Sequence, residues 1–320
     1  MSKHTENPFS NDFDLSNKQK HDIEKIVNNL CEAANDIGIS RHDAKQEAYA
    51  KGLTSSHDVN ATMGVTSYNS MKDFKSDTRT FISYCYDRFN ICNINQIKPS
   101  MCADFLKEAV EREYAKNSCK GFESSLANIA IAIDRFAPMT GHSRSDEWER
   151  AIAPCREMIN NDAVVKDAET RAYANPMAII EKLPPDMQIV ANMQLNHGLR
   201  LADATKLTDI ADNALNVHNS KGGQDLLNIR LSDSEIRQIK EVSGGTMEIK
   251  IKQYDYVQAL KTACAEAGQE YNGTHGFRHN FAQNRMSELV ESGMGYRQAL
   301  SKVSEEMGHH RPSITLTYLR

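Results

Sequence analysis

Six polar residues in the second half of the chain belong to types that can bind and cleave a phosphodiester. In chain order they are Arg200, Lys221, His275, Arg278, His309 and Tyr318. Arginine side chains bind the non-bridging oxygens of a phosphate, and histidine moves protons near neutral pH. A tyrosine oxygen can attack phosphorus and keep the bond energy in an ester. The set predicts phosphoryl transfer through a covalent intermediate, provided that the fold brings these side chains together.

His275 and Arg278 lie three residues apart in THGFRHNFA, where a helical pattern begins. Residues three apart share one face of a helix, and a helix N-terminus attracts anions. The pair therefore predicts a phosphate site. Pairs of this kind also arise by chance, so a surface histidine and a surface arginine are the alternative interpretation.

Two further cationic residues lie in short polar stretches. Arg200 follows the glycine of HGLRLADATKL, and Asp203 comes three residues later. Asp203 is predicted to hold the Arg200 guanidinium while part of that group stays free for a substrate oxyanion. Lys221 lies in SKGG, at the tip of a predicted hairpin, where its flexible ammonium can reach across a cleft. A solvated ion pair and an ordinary turn lysine are the alternatives.

His309 and Tyr318 are nine positions apart in the last stretch, MGHHRPSITLTYLR. In an unbroken helix nine residues turn through about 900 degrees, which puts the two side chains on opposite faces. Gly308 ends a helical pattern, and Pro312 restricts Arg311 away from helical angles. This break lets the chain turn Tyr318 back toward His309, whereas a tyrosine that only packs at the terminus is the alternative.

The elements that must position these residues begin near residue 176. Apolar residues at helical spacing predict a helix that starts at Pro184–Pro185 and three later helices that each end on a glycine. Between them, ALNVHNSKGGQDLLNIRLS alternates apolar and polar residues on both sides of a glycine turn, which predicts a β-hairpin. This part of the chain is predicted to be mainly α with a small antiparallel β-sheet.

The earlier residues predict further helices. Residues 16–38 combine a Ser16 cap with apolar residues at helical spacing, and residues 64–140 hold helical patterns that include Phe81 and Phe105. The predicted organisation is an N-terminal helical segment at 1–60, a compact helical domain at 64–140, a linker at 141–175 and a second domain at 176–320.

Composition limits the class of protein. The chain has 320 residues, of which 25% are charged, and no apolar run long enough for a membrane span. Its seven cysteines form no CxxC pair, so we expect reduced thiols rather than disulfides or a zinc site. The net charge of -5 argues against a nucleic-acid partner. That objection is weakened because a DNA-binding protein needs only one basic face.

Taken in order, the six residues resemble the active-site series of the tyrosine recombinases, the phage-integrase family. HGLRLADATKL is similar to the family's first arginine box, SKGG to its hairpin lysine, THGFRHNFA to its HxxR box, and MGHHRPSITLTYL to its histidine box with the nucleophilic tyrosine. SYNSMKDFKSDTRTFISYC through SLANIAIAIDRFA resembles its helical core-binding DNA domain, so the resemblance covers residues 64–318.

The resemblance implies a site-specific recombinase, or integrase, that cleaves and rejoins DNA strands through a 3′-phosphotyrosine at Tyr318. It implies that Lys221 is the general acid for the leaving 5′-oxygen and that Asp203 orients Arg200. His310 and Arg311 are candidate contacts to DNA phosphates, with simple surface exposure as their alternative. No metal, cofactor or ATP is required, in keeping with the absence of a GxxxxGK[ST] loop.

The implied partner is double-stranded DNA at specific recombination sites, bound by a homotetramer on paired sites, with DNA-bending proteins as candidate accessory factors. Residues 1–60 exceed a two-domain plan and are interpreted as an arm-type DNA-binding segment or a multimer contact, which favours integration or excision of a mobile element. The alternatives are a dimer resolvase for chromosomes or plasmids, a catalytically silent accessory DNA-binding protein of the same fold, and a type IB topoisomerase. We expect a cytoplasmic protein that associates with the nucleoid when active, with no membrane partner.

Only Leu319 and Arg320 follow Tyr318, whereas the family commonly continues into a helix that docks on a neighbouring subunit. We therefore expect the protein to be mostly monomeric without DNA. Either it assembles its tetramer through other contacts, such as residues 1–60, or such a tail is dispensable.

Overall fold

The computed structural model describes residues 9, 13, 15–91, 93–136, 144–165, 170–221, 223–309 and 311–320. These residues form two compact units, the first up to residue 165 and the second from residue 170. Both units are mainly helical, and the named strands lie in the second unit and pair antiparallel. The predicted fold class, mainly α with small antiparallel sheets, is confirmed.

Serine side chains begin the first four helices of the first unit. Each accepts a hydrogen bond from a backbone amide in the first turn, which satisfies one of the free N–H groups there. The helices are α1 (Asn17–Ala33), α2 (Arg41–Ala50), α3 (Ser56–Ala61), α4 (Tyr68–Phe89), α5 (Pro99–Glu111), α6 (Lys116–Phe136) and α7 (Arg144–Asp162), with a 3₁₀ turn at Ile94–Gln96.

One apolar core joins most of these helices. Val27 of α1, Ile82 of α4, Phe105 of α5 and Leu126 of α6 belong to it, and each is at most 1% exposed. Removing such side chains from water is the main force that holds amphipathic helices together.

The first unit extends further in both directions than the predicted 64–140 domain. α1, assigned above to a separate N-terminal segment, packs on α4 and α6, and α7, assigned to a linker, packs on α5 and α6. Trp148 and Ile152 of α7 are each 1% exposed. The sequence indicates a helix around residues 152–165, but Pro154 and several charged residues interrupt its apolar positions, so its packing against the core was not predicted. The linker prediction for residues 144–162 is therefore corrected.

The second unit contains the predicted helices and the predicted hairpin. Its helices are α8 (Pro176–Ile180), α9 (Pro185–His197), α10 (Leu201–Ala204), α11 (Asp233–Val242), α12 (Gln253–Glu266), α13 (Gly276–Glu291), α14 (Tyr296–Glu306) and α15 (Pro312–Thr315), followed by a 3₁₀ turn at Leu316–Tyr318. Its strands are β1 (Lys206–Leu207), β2 (Ile210–Ala211), β3 (Ala214–Ser220), β4 (Gln224–Arg230) and β5 (Ile249–Lys250).

The strands form two small antiparallel sheets. β2, β3 and β4 make one sheet in that order, and β1 pairs with β5 in the other. In the β3–β4 hairpin Leu215 pairs with Ile229 and Ser220 pairs with Gln224. The hairpin turn therefore carries Lys221, as the sequence predicts.

α13 supports the centre of the second unit. It packs on α9 and on α14. Val190 of α9, Phe277 of α13 and Val303 of α14 are fully buried. Close packing on two helices fixes the backbone at the start of α13, where His275 and Arg278 lie. None of the helices that the structure describes combines the length and the apolar character needed to span a bilayer.

Candidate active site

Four polar side chains surround the phenol of Tyr318. The Tyr318 hydroxyl lies 3.2 Å from Nδ1 of His275. The centre of the Tyr318 ring is 5.3 Å from that of His309 and 4.6 Å from that of His279. Cζ of Arg278 lies 5.6 Å from the same ring centre. Residues from α13 and from the end of the chain thus meet at one tyrosine.

The helical path before Tyr318 is interrupted at Gly308 and Pro312, the two positions that the sequence indicates. Gly308 has φ +64°, the left-handed region that ends a helix and that glycine adopts most readily. A Cβ at Gly308 would also lie 3.0 Å from Leu226 and 3.3 Å from Nη1 of Arg200. Pro312 then occupies the first turn of α15, after an extended Arg311. The break brings the His309 and Tyr318 rings side by side instead of on opposite faces.

Arg278 is a buried cation. It is 1% exposed, and its Nη atoms donate to the carbonyl of Gly198, to that of Met307 at 3.4 Å and to Nε2 of His309 at 3.3 Å. All three acceptors are neutral, and its Nε–H has no partner among the residues that the structure describes. Burial lowers the pKa of this guanidinium to about 10, so it remains charged at pH 7. A buried charge without an anion in direct contact favours binding of an anion.

Arg200 lies at the start of α10 and is half-buried. Its Nη1 donates to Oγ of Ser220 at 3.0 Å, and its Nη2 donates to the carbonyl of Gly308 at 2.8 Å. Oγ of Ser220 in turn donates to Oδ2 of Asp203 at 2.7 Å. Asp203 was predicted to hold Arg200, and in the structure the hydroxyl of Ser220 lies between them. The sequence stretch gives no sign of this serine because it comes from the hairpin.

The contacts of His309 define its tautomer. Because an arginine can only donate, Nε2 of His309 accepts from Arg278 and Nδ1 carries the proton. Nδ1 then donates to Oγ1 of Thr315 at 2.8 Å, and Thr315 is fully buried. Burial of the ring, followed by the charges of Arg278 and Arg200, lowers the pKa of His309 to about 4. The imidazole is neutral at pH 7 in the absence of an anion.

His275 immediately precedes α13 and faces the hydroxyl of Tyr318. The residue remains exposed to solvent along part of its surface. Desolvation of the ring by its neighbours, together with the charge of Arg278, lowers its pKa to about 4. A neutral imidazole at this position can accept the phenolic proton, and a bound phosphate would raise the pKa of His275 and strengthen it as a base.

His279 is a site residue that the sequence interpretation missed. It is 7% exposed, its ring lies against Tyr318, and its Nδ1 has no hydrogen-bond partner within the described ranges. Burial lowers its pKa to about 4. The signal was present in THGFRHNFA, since His279 is four residues after His275 and so shares its helix face. Arg171 was missed as well, and its charge also lowers the pKa values of both histidines.

Lys221 and Arg311 are the remaining predicted residues that the structure describes. Lys221 is exposed in the hairpin turn, and its charge contributes to the lowered pKa of His275. Its ammonium therefore acts electrostatically on the histidine that faces the Tyr318 hydroxyl. Arg311 is exposed, and His310 lies outside the described residues. Within the part of the chain that the structure describes, no group of three or more His, Cys, Asp or Glu side chains is placed to hold a metal ion.

Taken together, the site presents a phenol next to a neutral histidine, with one buried and one half-buried arginine close by. Positive charge without a paired carboxylate suits an anionic substrate, and a tyrosine beside a proton acceptor suits nucleophilic attack. These are the groups that an in-line attack on a phosphodiester needs.

The similarity to known proteins is structural. No family model matches the sequence, and no curated protein matches it. The structure is similar to that of XerA recombinase, at 14% identity and a TM-score of 0.39, over 92% of this chain and 93% of that one. It is also similar to the Tn1549 transposon integrase in complex with transposon right end DNA, at 14% identity and a TM-score of 0.45, over 91% of this chain and 94% of that one. The same integrase with circular intermediate DNA matches at 13% identity and a TM-score of 0.45, over 91% of this chain and 95% of that one.

Proposed function

We propose that this chain is a tyrosine recombinase that cleaves and rejoins double-stranded DNA at specific sites, with Tyr318 as the nucleophile. One observation carries the proposal. The phenol of Tyr318 lies within hydrogen-bond distance of His275 and against Arg278, a buried cation whose hydrogen-bond acceptors in the described part of the chain are all neutral.

The substrate phosphate binds first. Arg278 and Arg200 bind its non-bridging oxygens, and the negative charge offsets the cost of keeping Arg278 buried. The same arginines stabilise the charge that develops on those oxygens in the transition state. His309 supports this arrangement, because its Nε2 already accepts from Arg278 and holds the guanidinium in place.

The chemical step exchanges one ester for another. The Tyr318 oxygen forms a bond to phosphorus while the bond from phosphorus to the 5′-oxygen breaks, which leaves a 3′-phosphotyrosine and a free 5′-hydroxyl. The phenolic proton passes to Nδ1 of His275, 3.2 Å away, and Lys221 supplies a proton to the leaving 5′-oxygen. Attack by a 5′-hydroxyl on the phosphotyrosine reverses these transfers and rejoins a strand. No ATP is consumed, because the ester keeps the bond energy.

The proposal also covers the biological role of the protein, its oligomeric state and its further contacts to DNA. The protein integrates or excises a mobile element, is mostly monomeric alone and assembles as a tetramer on paired sites. Asp203 orients Arg200, and Arg311 contacts DNA phosphates. The N-terminal segment at residues 1–60 contributes an additional contact to DNA or to a neighbouring subunit.

The decisive experiment is capture of the covalent intermediate. Wild-type protein is incubated with DNA of the organism that encodes it, the reaction is stopped with detergent, and the protein-linked ends are sequenced. We expect adducts at a small number of sites, with protein on the 3′ ends. A duplex with one mapped site and a nick beside it then traps the adduct, since the short cleaved fragment diffuses away.

Tyr318→Phe must abolish this adduct while it retains binding to the same duplex. Tyr296→Phe is the matched control, because Tyr296 is an exposed tyrosine of the same unit outside the site. Binding without any adduct from wild-type protein would support an accessory DNA-binding role instead. Adducts spread over all sequences would indicate a topoisomerase.

Salt dependence gives an independent test of DNA binding. Contacts to several phosphates make the logarithm of the binding constant fall steeply with the logarithm of the salt concentration. A slope near zero would contradict the proposal despite the likeness of the fold.

A further inference from the structure

Ser220 connects two parts of the site that the sequence interpretation treats separately. It is the last residue of β3 and is 3% exposed. Its hydroxyl accepts from Arg200 and donates to Asp203, at 3.0 and 2.7 Å. One serine oxygen therefore joins the start of α10 to the end of the hairpin.

The same residue also begins the turn that carries Lys221. The carbonyl of Ser220 accepts from the amide of Gly223 at 2.9 Å, and Ser220 pairs with Gln224 of β4. Lys221 is exposed and is the next residue along the chain. The Ser220 side chain thus connects the near end of this turn to Arg200 and Asp203.

Arg200 extends this connection to the tyrosine segment. Its second Nη atom donates to the carbonyl of Gly308, directly before His309. The hairpin, the first arginine and the segment that aims Tyr318 are therefore joined through Arg200 and Ser220.

We propose that Ser220 is a positioning residue that keeps Lys221 in register with the phosphate held by Arg200. This inference rests on the proposed function, because it assigns the protonation of the leaving 5′-oxygen to Lys221. A lysine on a turn has many conformations, and a proton donor must lie within hydrogen-bond distance of the leaving atom. The buried hydroxyl restricts the turn, while Lys221 itself stays flexible enough to reach DNA.

The test separates positioning of the proton donor from general damage to the site. Single-turnover cleavage is measured on the mapped nicked duplex and on the same duplex with sulfur in place of the scissile 5′-oxygen. A thiolate leaves without a proton, so the sulfur substrate bypasses the general acid. Lys221→Ala calibrates the probe and should be slow on oxygen but close to wild type on sulfur.

We expect Ser220→Ala to cleave the oxygen substrate roughly 10- to 100-fold more slowly than wild type, because the turn that carries Lys221 loses its hydrogen bonds to the charged groups of Arg200 and Asp203. On the sulfur substrate most of that loss should disappear, and Ser220→Thr should retain activity because it keeps a hydroxyl. Thr205→Val is the matched control, since it removes another buried hydroxyl of the same unit, bonded to the Leu201 carbonyl.

Hydrogen exchange provides a measurement that needs no DNA. Amides of residues 214–221 and 223–224 should exchange faster in Ser220→Ala than in wild type or Thr205→Val. Unchanged exchange in this hairpin, or equal slowing on oxygen and sulfur substrates, would overturn the role of Ser220. Failure of wild type to form any adduct would instead contradict the proposed function, and lack of sulfur rescue in Lys221→Ala would contradict the role of Lys221.

Discussion

Nη2 of Arg278 lies 3.3 Å from Nε2 of His309, and this contact determines which nitrogen of His309 carries its proton. The proton is on Nδ1, where Oγ1 of Thr315 accepts it at 2.8 Å. Arg278, His309 and the helix that leads into Tyr318 are therefore linked by two hydrogen bonds.

Thr315→Val should slow DNA cleavage by about tenfold while the fold is kept, because His309 loses the acceptor that fixes its orientation. Thr317→Val is the control, since Thr317 is exposed and its hydroxyl donates to the Ile314 carbonyl. Single-turnover adduct formation measures both variants. Equal rates for the two would show that the Thr315 contact has no role in the chemistry.

Arg278→Lys should reduce cleavage by at least about 100-fold, because an ammonium cannot reproduce the planar fork that bonds both to the protein and to a phosphate. It should also lower the free energy of unfolding by about 1–3 kcal/mol, since carbonyls such as that of Gly198 lose their donor. Arg285→Lys, on the same helix but paired with Glu306, is the control. Urea unfolding and adduct formation are compared, and a fully active Arg278→Lys would argue against phosphate binding here.

Gly308→Ala should reduce DNA cleavage more than Gly293→Ala does. Both glycines have positive φ, so both substitutions carry a backbone cost of about 1 kcal/mol. A Cβ at Gly293 meets nothing within 4 Å, whereas one at Gly308 would lie 3.3 Å from Nη1 of Arg200. We expect similar losses of unfolding free energy but a loss of cleavage only at Gly308. Matching cleavage rates would show that the close approach to Arg200 is tolerated.

The lowered pKa of His279 predicts a pH dependence of stability. Its pKa is about 4 in the folded protein and near its ordinary value in the unfolded chain, so between these values the unfolded state binds more protons. Stability should therefore fall as the pH decreases from about 6.5 toward 4. The lowered pKa values of His275 and His309 likewise make stability fall over this pH range.

His279→Gln isolates one part of this effect. The difference in unfolding free energy between pH 7 and pH 5 should shrink by about 1 kcal/mol relative to wild type. Urea unfolding at the two pH values measures it, with His42→Gln, an exposed histidine of the first unit, as the control. An unchanged difference would mean that His279 is not kept neutral by the fold.

Much of the local structure follows from the sequence alone. Apolar periodicity indicates α9 and α13, alternation around SKGG indicates the hairpin, and Gly308 with Pro312 indicates the break before Tyr318. These features are local, because backbone geometry and the burial of one face depend on neighbouring residues. The order and types of the candidate catalytic residues are likewise readable without a structure.

Only the tertiary structure decides which distant side chains meet. It places Ser220 between Arg200 and Asp203, buries Arg278 without an anion and sets His279 against Tyr318. It also brings α7 into the core of the first unit. Such contacts join residues far apart in the chain and depend on how whole helices pack, which no local pattern encodes. The sequence by itself thus determined the chemical groups and the elements that carry them, whereas packing decided their partners, their burial and their protonation.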